Sequence, residues 1–102
     1  MTTSSQAIAA LLAKHGVERV AYLPCEKVGP LAEKLTGRFA VWDLTRESAG
    51  VSIAFGWALG GARSALVIQS TGLGNLITEL MTLQVLYGVA LPILVSWRGH
   101  YK

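Results

Sequence analysis

Four apolar residues, Ala65-Leu66-Val67-Ile68, run straight into Gln69-Ser70-Thr71-Gly72-Leu73-Gly74-Asn75 and then into a long apolar segment, Leu76 to Tyr87. No other stretch restricts the fold so strongly. The first run is short and unbroken, as in a fully buried strand, whereas the last has the length of a helix. Strand, small polar turn and helix make an α/β unit, whose ligands lie beyond the carboxyl ends of its strands. Gly72 and Gly74 would let the backbone come close to a ligand, and the following helix amino terminus offers free N–H groups. Glycines of this kind also serve turns that bind nothing, so the turn alone leaves both readings open.

The rest of the chain repeats the alternation. Thr3, Ser4 and Ser5 are possible helix caps, Ile8, Leu11 and Leu12 follow at helical spacing, and Gly16 is a stop, which gives a helix over 4–15. Val17 to Leu23 favours a strand ended by Pro24. Val28, Leu31, Ala32 and Leu35 mark a second amphipathic helix, stopped by Gly37. Phe39 to Trp42 reads as the next strand. A third helix, from about Arg46 to Leu59, carries Gly50, Ala54 and Ala58 in one line, a surface that another backbone can approach closely. Gly60-Gly61 ends it, and Ser64 to Ile68 is the third strand. A fourth helix, over 73–87, is apolar on nearly every side with Glu79 its only charge. A single small domain cannot enclose such a helix, so a subunit interface is expected there. Pro92 to Val95 is the last strand. The expectation is one α/β domain over 1–102, with a parallel sheet, right-handed crossovers and a short carboxyl-terminal end, because no helix follows the last strand.

Composition supports a covered surface. Hydrophobic residues make up 52% and charged residues 15% of the chain, more apolar than an ordinary domain, so some apolar area should be met by another chain. The net charge of +3 is spread over scattered Lys and Arg, which gives no nucleic-acid footprint. A single cysteine, Cys25, excludes an internal disulfide and fits a reducing, cytoplasmic setting. The start lacks the basic and apolar regions of a secretory signal. Leu80 to Trp97 holds no charge over 18 residues, but Gln84, Gly88 and Pro92 divide it into helix end, turn and strand rather than a membrane span.

The polar groups gather just past the strands. The four carboxyl ends read Pro24-Cys25-Glu26, Thr45-Arg46-Glu47, Gln69-Ser70-Thr71 and Ser96-Trp97-Arg98. In an open parallel sheet this edge is the binding edge. Glu47 opens a helix, where the dipole favours a carboxylate, so it is either a ligand-facing acid or a helix-end charge paired with Arg46. Arg98 reads as an anion ligand or as a solvated charge, Trp97 as packing, Cys25 as a small buried residue and His15 as surface. His15, His100 and Cys25 have no metal-ligand spacing. Neither a Gly-x-Ser-x-Gly nor a P-loop pattern occurs.

With LPCEKV at 23–28, LTRES at 44–48, QSTGLGN at 69–75 and LPILVSWRGHYK at 91–102, the chain resembles the thiamine-diphosphate-dependent decarboxylases of sulfopyruvate and phosphonopyruvate. The resemblance is to their pyrimidine-binding domain, the sulfopyruvate enzyme's α subunit above all. It implies a three-layer fold, a parallel sheet with helices on both faces. It also implies that Glu47 hydrogen-bonds the cofactor's pyrimidine, favouring the imino tautomer that takes the thiazolium proton. Gln69, Ser70, Gly72, Gly74 and Asn75 become candidate cofactor contacts, and Ser70, Thr71 and Arg98 candidate substrate contacts. The implied reaction converts 3-sulfopyruvate to sulfoacetaldehyde and carbon dioxide. Phosphonopyruvate as substrate, or a non-catalytic assembly role, are the alternatives. No GDG-plus-Asn motif for magnesium and diphosphate is present. In the family that motif belongs to a separate domain, so a diphosphate-binding β subunit carrying the Mg2+ is the expected partner, within a homo- or hetero-oligomer.

Overall fold

The computed structural model describes residues 3–25 and 28–96. The first helix, α1 (Ser4–Lys14), starts from a reciprocal cap: the Thr3 hydroxyl accepts from the Gln6 backbone N–H, and the Gln6 side chain accepts from the Thr3 N–H. It stops at Gly16, whose φ of 80° lets the Val17 N–H turn back onto the Leu12 carbonyl. Strand β1 (Arg19–Tyr22), helix α2 (Gly29–Thr36), strand β2 (Ala40–Asp43), helix α3 (Glu47–Leu59) and strand β3 (Ser64–Gln69) follow. After a further helical segment the chain ends its described course in β4 (Ile93–Ser96).

All the strand pairs are parallel, in the order β2-β1-β3-β4. The sheet separates two cores. On one face α1 and α2 enclose Leu12, Val20, Leu31, Leu35 and Val67. On the other, α3 and the segment after β3 enclose Ala21, Leu44, Val51, Leu66, Ile68 and Leu76. Within β3 the side chains alternate between these cores, Ala65 and Val67 to the first, Leu66 and Ile68 to the second, and each is fully buried. The three-layer expectation therefore holds.

The line of small residues on α3 faces the sheet. A Cβ built on Gly50 would lie 2.6 Å from a Leu44 methyl and 2.6 Å from a Leu66 methyl. Gly50→Ala should cost about 1–3 kcal/mol through overpacking, despite the roughly 1 kcal/mol that alanine gains over glycine in a helix. Denaturant unfolding would measure it, and an unchanged midpoint would mean that α3 can lift off the sheet freely.

The fourth helix departs from expectation. Residues 70–85 form a 3-10 stretch (Ser70–Leu76), a single α-turn (Ile77–Glu79) and a wide π-helical stretch (Leu80–Val85) instead of one regular helix. As expected of a segment that one small domain cannot enclose, it is buried on one side only: Leu76 is enclosed, whereas Ile77, Met81 and Val85 are 57–60% exposed. The reason is geometric, since one flank rests on α3 and none of the described residues covers the other. Gly88, at φ 70°, ends the segment, and the Val89 N–H closes onto the Gln84 carbonyl at 2.9 Å. No described helix is long and apolar enough to cross a membrane.

Candidate functional site

The strand order reverses between β1 and β3, and in such sheets the crevice at the carboxyl edge is the binding position. Two crossovers reach this edge on the same face. After β2, Leu44 turns into the second core, Arg46 is extended (φ -156°, ψ 155°), and Glu47 becomes the first residue of α3. After β3, the 3-10 stretch carries Gly72 and Asn75 past the same point.

Glu47 is only 8% exposed, unusual for a carboxylate on a helix end. Its Oε1 accepts a hydrogen bond from Asn75 Nδ2 at 3.1 Å. On another side it packs on Gly72: a Cβ built there would fall within the Glu47 carboxyl group. The missing side chain at Gly72 therefore makes room for the acid. The positive end of α3 adds a favourable field for negative charge. Two residues of the 3-10 stretch thus fix a buried acid on the preceding helix, α3.

This carboxyl borders an open cleft of about 410 Å³. Arg46, Glu47 and Ser48 form one wall, and Gly74, Asn75, Thr78 and Glu79 the other. Of the residues expected from sequence, Glu47, Gly74 and Asn75 are brought together here, with Gly72 beneath Glu47. Gln69 and Ser70 are half-buried at the end of β3 and Thr71 is exposed; none of the three lines this cleft. Arg98, with Glu26, Trp97 and His100, lies outside the described residues. Sequence reasoning missed Arg46, Ser48, Thr78 and Glu79 as cleft residues. Thr78 and Glu79 follow Gly74 and Asn75 by four positions, so helical spacing was the available signal. Cys25 is half-buried against the first core and His15 is exposed. Among the described residues no group of three His, Cys, Asp or Glu could hold a metal ion.

A larger hollow, about 630 Å³, lies at the opposite edge of the sheet. Its cation, Arg63, donates from Nη1 to the His15 carbonyl at 2.9 Å and so completes the end of α1. That is a structural duty, and the candidate site stays at the Glu47 edge.

A three-layer parallel fold of this kind matches the pyrimidine-binding domain of thiamine-diphosphate enzymes. Over residues 2–102 the chain matches the family described as "Thiamine pyrophosphate enzyme, N-terminal TPP binding domain", and it belongs to that family. Thiamine diphosphate is accordingly the cofactor of such a domain, and a carboxyl group held at a cleft suits a ring nitrogen of its pyrimidine. Within the family the chain groups with the sulfopyruvate and phosphonopyruvate decarboxylase-like enzymes and is homologous to the sulfopyruvate decarboxylase α subunit. It is 42% identical over 92 residues to sulfopyruvate decarboxylase of Methanosarcina acetivorans, covering 90% of this chain and 24% of that protein. It is 31% identical over 101 residues to sulfopyruvate decarboxylase subunit alpha of Methanococcus maripaludis, covering 97% and 60%. Phosphonopyruvate decarboxylase of Streptomyces viridochromogenes is 31% identical over 87 residues, covering 83% and 22%. The chain thus spans between 22% and 60% of the length of these relatives. Among solved structures, 2-oxoglutarate:ferredoxin oxidoreductase from Magnetococcus marinus superposes with a TM-score of 0.81 at 15% identity, covering 99% of this chain and 18% of that one. That likeness concerns the fold alone.

Proposed function

We propose that this chain supplies the pyrimidine-binding half of a thiamine-diphosphate-dependent 2-oxo acid decarboxylase, with 3-sulfopyruvate as its substrate. The observation that carries the reading is the Glu47 carboxyl, buried yet bordering the cleft and held by Asn75 and Gly72. When bound, thiamine diphosphate supplies the electron sink for loss of carbon dioxide. Glu47 holds the pyrimidine ring nitrogen and keeps a proton there. Asn75 fixes the direction of the Glu47 carboxyl through Oε1. Gly74 leaves its wall of the cleft without a side chain, so a flat ring can approach the backbone. Gln69, Ser70 and Thr71 stay candidate contacts from the end of β3, and Arg98 a candidate partner for the substrate's anionic group.

The diphosphate and magnesium motif does not occur within these 102 residues, so the reading assigns that half of the site to another domain or to a partner subunit. The exposed apolar row Ile77, Met81 and Val85 supports the same view, because it runs along the segment that carries Asn75. The names of the Methanococcus and Methanothermobacter relatives, both subunit alpha, agree with a divided enzyme. Phosphonopyruvate is the second reading, favoured by the two Streptomyces relatives at 31% and 34% identity.

Co-expression with a diphosphate-binding subunit, followed by parallel turnover of sulfopyruvate and phosphonopyruvate with thiamine diphosphate and magnesium, tests the reading. Carbon dioxide release from sulfopyruvate is the expected result; release from phosphonopyruvate alone selects the second reading. A complex that binds the cofactor and turns over neither would leave an assembly domain. Met81→Glu should prevent the two subunits from copurifying, and its failure to do so removes the Ile77–Val85 row from the interface.

A further inference from the structure

We infer that Gln84 is a positioning residue for Glu47, latching α3 to the 70–85 segment so that the acid faces the cleft at a fixed height. The inference rests on the role proposed for Glu47. Gln84 is 4% exposed and sits within the π-helical stretch Leu80–Val85. Its Nε2 donates to the Val51 carbonyl inside α3 at 3.0 Å, while its Oε1 is buried with no hydrogen-bond partner among the described residues. The adjoining hollow, about 380 Å³, is lined mainly by apolar groups such as Leu80, Val89 and Leu91. A methionine or leucine would fill that place without a dry acceptor. What the amide adds is direction.

Val51 lies four residues after Glu47, one turn along the same side of α3. Asn75 already ties Glu47 itself to the 3-10 stretch. The helix is therefore bound to one continuous segment at two points a turn apart, at Glu47 and at Val51. Apolar packing between them is non-directional and would allow sliding along the axis, whereas two hydrogen bonds fix the register. The π-helical stretch serves the latch. Steps of four residues, from Leu76 to Leu80 to Gln84, drift around a regular helix, and a wider turn offsets that drift and keeps Gln84 inward.

The test uses the assembled protein with its partner subunit and two ligands: thiamine diphosphate, and an analogue in which the pyrimidine nitrogen assigned to Glu47 is replaced by C–H. Wild type should prefer the natural cofactor by about tenfold or more, the worth of one charge-assisted hydrogen bond. In Gln84→Met that preference should fall to about threefold or less, with the analogue's own affinity changed by less than about twofold. An unaltered preference in Gln84→Met would overturn the latch, and so would an equal loss of affinity for both ligands, which marks a merely structural role. Gln84→Leu repeats the comparison if the methionine variant does not assemble, and failure of both to assemble also overturns it. A wild type that binds cofactor without any preference refutes the role of Glu47 itself, and the latch with it. A normal wild type beside an unaffected variant refutes the latch alone.

Discussion

Replacing Glu47 by glutamine should lower decarboxylation by about 10²–10⁴-fold, the range for losing a positioned acid–base group, with little effect on folding or assembly. The substitution is nearly isosteric, so the carboxyl's place over Gly72 stays filled. The glutamine Oε1 can still accept from Asn75 Nδ2, which keeps the side chain in its present direction. What disappears is the acid proposed to share a proton with the pyrimidine ring nitrogen. Carbon dioxide release at saturating substrate and cofactor reads this directly, and a thermal melt shows that the fold persists. A variant that retains full turnover would reduce Glu47 to a carboxylate favoured by the α3 dipole and would end the mechanism proposed for it.

Gly72→Ala should be damaging for a different reason. Its added methyl competes for the volume of the Glu47 carboxyl, so either the acid leaves its position or the 3-10 stretch moves off α3. Overpacking of this kind costs about 1–3 kcal/mol, and because the clash falls on the proposed cofactor ligand, cofactor affinity should fall together with the unfolding midpoint. Gly74→Ala is the natural comparison, since nothing lies within 4 Å of a Cβ built there and the fold should tolerate it. Equal stability and equal cofactor affinity in Gly72→Ala and wild type would show that the carboxyl is not confined as described.

The two glycines mark the limit of what the chain discloses by itself. Local signals carried most of the architecture: Gly16 and Gly61 closed helices as expected, the alternation of apolar runs gave the parallel sheet, and Glu47 stood out at a helix start. The polar turn 69–75 was legible as part of a site, but the duty of Gly72 was not. It makes room for a side chain 25 positions earlier, 72 minus 47, and only the packed crossovers reveal that. The Asn75–Glu47 bond is hidden for the same reason, lying between residues 28 apart. The fourth helix misled only in its regularity, because no propensity scale marks a π-helical stretch. Gln84 looked like an interruption of an apolar run; its partner on α3 explains its presence.

The central place of β1 has a kinetic meaning. Both its neighbours, β2 and β3, come later in the chain, and the His15 carbonyl just after α1 waits for a guanidinium 48 residues ahead. The β1–β2 pair and the α1–α2 contact can form early, but the other edge of β1 is paired only once β3 exists, and that loop closure must precede its reward. The bond between Asn75 and Glu47 can form only after that point. The order in which a chain emerges thus makes its candidate catalytic acid one of the last side chains to be set, so that an unfinished domain would lack an organised site.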